Sequence, residues 1–266
     1  MTTAKWTADR IKALKGVGKV TCLTAGDFAT AQFLDQAGLH VILVGDSLGM
    51  TSLGFSTTLP VTMEHMLHHT AAVARGVSAA LVVADMPFMS YQVSVKQALT
   101  NAGRLVKESG ADAVKLEGGA FRADTIRALV ANGIPVLGHI GLTPQSVRQL
   151  GGFKVQGRHD EDAQRLIADA KALEQAGVFA VVIECVPKAV GQAITEAVNV
   201  PTIGIGAGPH CDGQVLVSHD LLGISPLQPK FAKRYANVGE QMLQAFRAYK
   251  DDVKAGRFPD DEHSYE

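Results

Sequence analysis

Ionisable residues recur at one kind of place in this sequence, the end of a short apolar run. VILVGD closes on Asp46, LVVAD on Asp85, AVKLE on Lys115 and Glu117, PVLGH on His139 and AVVIE on Glu184. A carboxylate or imidazole in such a position can move protons or hold a cation. Residues i and i+2 of a strand share a face, so Lys115 and Glu117 point together while Val114 and Leu116 point the other way. Oxygen ligands suit Mg²⁺ or another hard divalent ion, which uses few protein carboxylates and keeps positions open for water or substrate. Two or three of Asp46, Asp85 and Glu117 are expected to hold the metal, leaving Glu184 for acid–base work. The competing reading is that each carboxylate caps the next helix or pairs with a Lys or Arg. Successive strands that all end in ionisable groups weigh against it for the set.

Weaker signals lie nearby. Ser47 follows Asp46 directly, and its N–H and hydroxyl are expected to bind substrate beside the metal. The alternative is a loop cap. The glycines of GIGAG (204–208) read as a tight turn rather than a phosphate cradle, because the GxGxxG spacing is not met. His65 and His69 have helical i, i+4 spacing without HExxH and read as a packed or solvated face. Cys22 and Cys185 read as buried small hydrophobes.

The elements that position these residues follow one phrase: a helix-like stretch, a glycine, then an apolar run. It occurs at 37–46, 75–85, 109–117, 132–139 and 176–184. Glycine at the helix stop tolerates a left-handed backbone, which gives Gly38, Gly76, Gly110, Gly133 and Gly177 a role. Runs of Val, Ile and Leu without alternation are strands buried on both faces, as in a parallel sheet. With 19–24 before the phrase and 201–206 and 214–218 after it, eight strands are predicted. Helices are expected at 29–36, 62–75, 94–109, 123–132 and 161–176, and a last one at 240–256 before an acidic tail. Alternating β and α units in eight copies favour a closed (β/α)8 TIM barrel spanning 1–266 as a single domain, with an N-terminal helix and a C-terminal helix. A doubly wound open sheet is the alternative. The long connections 47–61 and 140–159 both follow strand C-termini, the active-site face of a barrel.

Composition excludes several classes. Lys+Arg number 25 against 26 Asp+Glu, a formal net charge of −1, with no basic run, so no nucleic-acid partner and no anionic membrane surface are expected. No apolar run has the length of a membrane span. Three cysteines, an odd number without CxxC spacing, argue against a disulfide framework and a structural zinc site. The N-terminus is too polar for a secretory signal, and a cytoplasmic protein is expected. Charged residues make up 19%, below the usual ~25%, which predicts that part of the surface is covered by copies of the chain.

Eight ordered motifs then converge. VGDSLGM (44–50), TTLPVT (57–62), ADMPFMSY (84–91), VKLEGG (114–119), GHIGLTPQSV (138–147), GGFKVQGR (151–158), ECVP (184–187) and IGIGAG (203–208) resemble the ketopantoate hydroxymethyltransferase family. The resemblance runs from about residue 19 to EHS at 262–264. It implies a barrel, Mg²⁺, and 5,10-methylenetetrahydrofolate as co-substrate. The implied reaction carries a hydroxymethyl group to 3-methyl-2-oxobutanoate, giving 2-dehydropantoate for pantothenate and coenzyme A, through a Mg²⁺-stabilised enolate. By motif, Asp46 and Asp85 match metal ligands and Glu117 the third carboxylate. Ser47, Asp85, Lys115 and the backbone at Asp46 match keto-acid contacts. Glu184 matches the general base, and His139 lies near the substrate. The resemblance also implies a large homo-oligomer, commonly a decamer. Two departures stand out: TAGD (24–27) where the family has TAYD, and a tail reading EHSY rather than EHSF. Two other functions compete, a Mg²⁺-dependent barrel of the phosphoenolpyruvate mutase and isocitrate lyase kind, and a keto-acid binder without turnover.

Overall fold

A computed structural model describes residues 4–226 and 228–266. They group into two compact units, one ending at Val217 and one beginning at Ser218.

The first unit is a closed parallel barrel in which each strand pairs with the next and the eighth with the first. Its strands are β1 (Val20–Thr24), β2 (Val41–Val44), β3 (Leu81–Asp85), β4 (Ala113–Glu117), β5 (Val136–Gly141), β6 (Ala180–Glu184), β7 (Thr202–Ile205) and β8 (Gly213–Leu216). All eight lie where the apolar runs predict them. An α-helix α1 (Ala8–Lys12) precedes β1, and α2 (Phe28–Gln36) follows it. Between β2 and β3 stand α3 (Leu48–Thr51) and α4 (Met63–Gly76), so the first long connection carries a short helix of its own. Next come α5 (Val95–Ser109), α6 (Ala123–Ala131), α7 (Asp160–Ala176) and α8 (Lys188–Ala197). The second long connection carries a 3₁₀ turn at Pro144–Ser146.

Local chemistry starts these helices where they are needed. Asp27 caps α2 by accepting from Thr30 N at 2.9 Å, and Ser94 caps α5 by accepting from Gln97 N at 3.1 Å. Thr62 and His65 form a reciprocal capping box on α4. His65 is thereby a structural histidine, and His69 is bound through Nδ1 to Gly26 O at 2.6 Å.

Strand alternation sorts the side chains into two cores. Ile42, Val44, Val82, Ala84, Val114 and Leu116 face outward and pack with Met66, Val73, Leu105 and Leu129 of the helices. Val41, Leu43, Leu81, Val83, Ala113, Leu137 and Val182 face inward and fill the pore, joined from below by Ile11 of α1. A side chain like that of Ile11, fully buried, contributes roughly 1.5–3 kcal/mol. The pore is therefore packed through its depth, and polar inward positions appear only toward the C-terminal ends of the strands.

Two expectations need correction. Helix α8 is absent from the sequence-based set, because Gly191 interrupts KAVGQAITEA and weakens its helical reading. The structure uses that glycine for close approach: a Cβ there would stand 2.3 Å from Ala207 O. Gly76 does not stop its helix with a left-handed backbone, as Gly38, Gly110, Gly133 and Gly177 do. It is the last residue of α4, where a Cβ would stand 2.7 Å from Phe28 O.

The second unit contains α9 (Ser218–Leu222) and α10 (Val238–Lys254), the latter close to the expected final helix.

Candidate active site

The strand register places the ionisable residues side by side. Asp85 pairs with Lys115 in the sheet ladder, Glu117 with His139, and Gly141 with Glu184. Because Leu81, Val83, Ala113 and Leu137 already face the pore, the same parity turns Asp85, Lys115, Glu117 and His139 inward. Asp46 lies just beyond β2, and its backbone N donates to Asp85 Oδ2 at 2.9 Å. Asp46, Asp85, Lys115, Glu117 and His139 are all buried. Glu184 is the more open member, its side chain 16% exposed against 3% for Glu117.

Lys115 is the positive centre. Its Nζ lies 2.5 Å from Asp85 Oδ1. Burial alone would lower its pKa, but the carboxylates of Asp85, Glu117 and Asp46 outweigh that and raise it, so it stays charged. Asp46 moves the opposite way from an isolated aspartate. Burial first, then the negative Asp85 and Glu117, hold its pKa well above the usual range. The site thus resists a further negative charge at Asp46, and Lys115 does not offset that resistance.

His139 stands between two carboxylates, with Nδ1 3.6 Å from Glu117 Oε1 and Nε2 3.2 Å from Glu184 Oε2. Neither nitrogen has an aligned hydrogen-bond partner among the described residues. The contacts are therefore charge attraction at close range. Burial opposes a charged imidazole, but Glu117 and Glu184 prevail over it and over Lys115, raising the pKa to about 9.

Ser47 is the N-cap residue of α3 yet makes no side-chain cap bond. Its hydroxyl and Asp85 border the same space: a Cβ at Gly45 would lie 3.0 Å from Ser47 Oγ and 3.5 Å from Asp85 Oδ2. Glycine at 45 keeps that space clear. Every sequence-predicted site residue therefore lies at one end of the barrel.

Two neutral residues that the sequence reading gave no role complete the group. Gln145, 5% exposed, donates from Nε2 to Asp46 Oδ2 at 2.9 Å and to Met86 O at 3.0 Å. Its backbone N donates to Glu117 Oε2 at 3.0 Å. Tyr91 OH donates to Gln145 Oε1 at 2.7 Å and accepts from Glu117 N at 3.1 Å. Both residues fall inside quoted motifs, which is the signal that could have found them.

The donor set fits a hard divalent ion. The carboxylates of Asp46, Asp85 and Glu117 supply oxygen donors, a cation among them would offset their mutual repulsion, and Gly45 leaves the space a side chain would fill. Among the described residues, no three ligand-type side chains already converge into a finished cage.

Cys185 differs from its expected setting. It is half-buried rather than buried, and its φ of 47° is in the left-handed region directly after Glu184. Burial raises its pKa to about 12, so it is no thiolate nucleophile. Cys22 is buried as expected. Gly206 and Gly208 both have positive φ in the turn between β7 and β8, as the tight-turn reading expects.

With this geometry in place, comparison with known proteins is decisive. A family model described as ketopantoate hydroxymethyltransferase matches residues 5–261. The chain belongs to this family. A curated 3-methyl-2-oxobutanoate hydroxymethyltransferase of Moorella thermoacetica is 58% identical, the match covering 97% of each chain. One from Syntrophus aciditrophicus is 56% identical over 98% of this chain and 97% of its own. Among solved structures, phosphonopyruvate hydrolase superposes with a TM-score of 0.63 at 15% identity, covering 98% of this chain and 92% of that one. A 2,3-dimethylmalate lyase gives 0.62 at 15% identity, covering 97% and 89%. These two share the fold; the ketopantoate hydroxymethyltransferase relatives share the sequence as well. No helix among the described residues is long and apolar enough to cross a membrane.

Proposed function

We propose that this enzyme transfers a hydroxymethyl group from 5,10-methylenetetrahydrofolate to 3-methyl-2-oxobutanoate, giving 2-dehydropantoate on the route to pantothenate and coenzyme A. Family membership supports the reaction. The observation that carries the chemistry is a partly open carboxylate, Glu184, beside a buried cluster of Asp46, Asp85, Lys115, Glu117 and His139.

Asp46, Asp85 and Glu117 are the residues that would hold Mg²⁺. When bound, the ion supplies Lewis-acid stabilisation of charge on the keto oxygen. Lys115 adds a fixed positive charge in a buried setting, where it acts without solvent reorganisation. Ser47 and the backbone at Asp46 bind the keto acid on the side that Gly45 leaves clear. Glu184 accepts the C3 proton, which leaves C3 able to form a bond to the methylene carbon. Both methylene–nitrogen bonds of the folate break, water supplies the hydroxyl, and the C3 proton and the second water proton go to the two folate nitrogens. His139 holds Glu184 in place through the 3.2 Å contact and faces the substrate.

Exchange at C3 of 3-methyl-2-oxobutanoate in D₂O, with Mg²⁺ and without folate, tests the base. The unaltered enzyme should exchange this proton and Glu184→Gln should not. Undiminished exchange in the variant removes Glu184 from that role. A turnover assay with and without methylenetetrahydrofolate separates hydroxymethyl transfer from lyase or mutase chemistry, and from binding without turnover.

The proposal extends to assembly: a homo-oligomer, as a decamer. Helix α10 supports it, since none of its residues is buried and Met242, Phe246, Tyr249 and Val253 form one apolar stripe. Sedimentation should give ten copies of the 28.1 kDa chain, and a monomer would refute it. The three free thiols suit a reducing compartment, and we propose the cytoplasm.

A further inference from the structure

We infer that Gln145 is the positioning residue of the metal site, fixing Asp46 and Glu117 relative to each other, with Tyr91 fixing Gln145 in turn. The inference rests on the metal-site reading above.

Gln145 lies in the connection after β5, yet it reaches groups of three other strand ends. Its side-chain NH₂ has two hydrogens, one given to Asp46 Oδ2 and one to Met86 O. Its carbonyl oxygen has two lone pairs, taken by Tyr91 OH at 2.7 Å and Gln92 Nε2 at 3.1 Å. The hydrogen-bonding capacity of the amide is complete. That completeness fixes which end is nitrogen, because Met86 O can only accept. A flipped amide would set oxygen against the Met86 carbonyl and the Asp46 carboxylate together.

The backbone N–H of the same residue holds Glu117 Oε2 at 3.0 Å. One residue therefore grips two carboxylates that arrive on different strands. Each keeps a second oxygen: Asp46 Oδ1, and Glu117 Oε1, which faces His139 at 3.6 Å. Tyr91 OH also accepts from Glu117 N, so the phenol ties the backbone of the ligand strand to the same amide. Partners that orient metal ligands in this way usually account for 10–100-fold in metal affinity.

The test uses the full-length chain without keto acid or folate, titrated with Mn²⁺ and read by loss of the free-ion electron paramagnetic resonance signal. Gln145→Met keeps length and volume but has no amide; it should weaken Mn²⁺ binding about 10-fold or more. Gln145→Asn retains the amide on a shorter stem and should recover little of the loss. Tyr91→Phe keeps the ring, frees Gln145 Oε1, and should weaken binding by a smaller factor. In turnover, the Gln145→Met defect should shrink as Mg²⁺ is raised, which a folding defect would not do. If Gln145→Met does not fold, Tyr91→Phe alone decides, and unaltered Mn²⁺ affinity there overturns the inference. Affinity within twofold in a folded Gln145→Met overturns it likewise. An unaltered chain that binds no Mn²⁺ overturns the metal-site reading itself, and this inference with it.

Discussion

Lys115→Met removes the positive charge from the barrel mouth while keeping side-chain length. The 2.5 Å Lys115–Asp85 contact is buried at both ends, 5% and 3% exposed. At an effective dielectric of about 20, that attraction amounts to about 7 kcal/mol before desolvation is counted. Breaking a buried pair from one side typically costs about 3–5 kcal/mol, because the partner is left charged and uncompensated. The variant has one escape, which is to protonate a carboxylate. At pH 8 a carboxylate of ordinary pKa resists protonation by about 5–6 kcal/mol, and at pH 5 by about 1–2 kcal/mol. The cost should therefore be about 3–5 kcal/mol at pH 8 and about 1–2 kcal/mol at pH 5. For a chain of this size this is a fall in Tm of about 6–10 °C at pH 8, narrowing to about 2–4 °C at pH 5. Calorimetry or circular dichroism of the metal-free protein measures both. Arg104→Met, which breaks an exposed pair with Glu64, is the control and should leave Tm unmoved. A gap under 2 °C at pH 8, or one that does not narrow on acidification, would refute the charge reasoning.

Asp46→Ala and Asp85→Ala should each weaken Mg²⁺ binding at least 10-fold by calorimetric titration; if neither does, the ligand assignment fails. His139 has a folded-state pKa raised to about 9. Its stabilising contribution is thus full below its unfolded value near 6.5 and is lost as pH rises through 9, so metal-free protein should lose Tm over that window and His139→Gln should not. Gly26 has ordinary backbone geometry, and a Cβ there would meet nothing nearer than Ser52 Oγ at 3.7 Å. Gly26→Ala should therefore stabilise by roughly 0.4–1 kcal/mol in urea denaturation. A loss of stability would show that the space is not free.

β2, β3 and β6 are readable because they are buried on both faces, which leaves an apolar run in the sequence, whereas β1 and β8 alternate and expose Thr21 and Gln214. Strand parity alone places Lys115 and Glu117 on one face of β4. The ionisable site residues were readable because a charge at the end of such a run needs a reason. Gln145 and Tyr91 carry no charge and lie in connections without periodicity, and Gln145 meets Asp46 from 99 positions away. Nothing local in the sequence encodes that meeting. Helix α8 was hidden by a glycine whose purpose is a contact with the loop after β7, and the backbone turn at Cys185 by the absence of a glycine where one is usual.

The ring closure between β1 and β8 bears on how the chain is made. Val20 pairs with Gly213 and Leu23 with Leu216, so one flank of the first strand waits for the last. During synthesis at roughly 5–20 residues per second, β1 presents unpaired backbone groups for about 10–40 s before its partner exists. An open strand flank is a template for pairing with other nascent chains. β1 is short, and its open-flank hazard lasts as long as translation does. Slowed translation between β1 and β8 should therefore lower the soluble yield of this enzyme more than the same delay after Leu216.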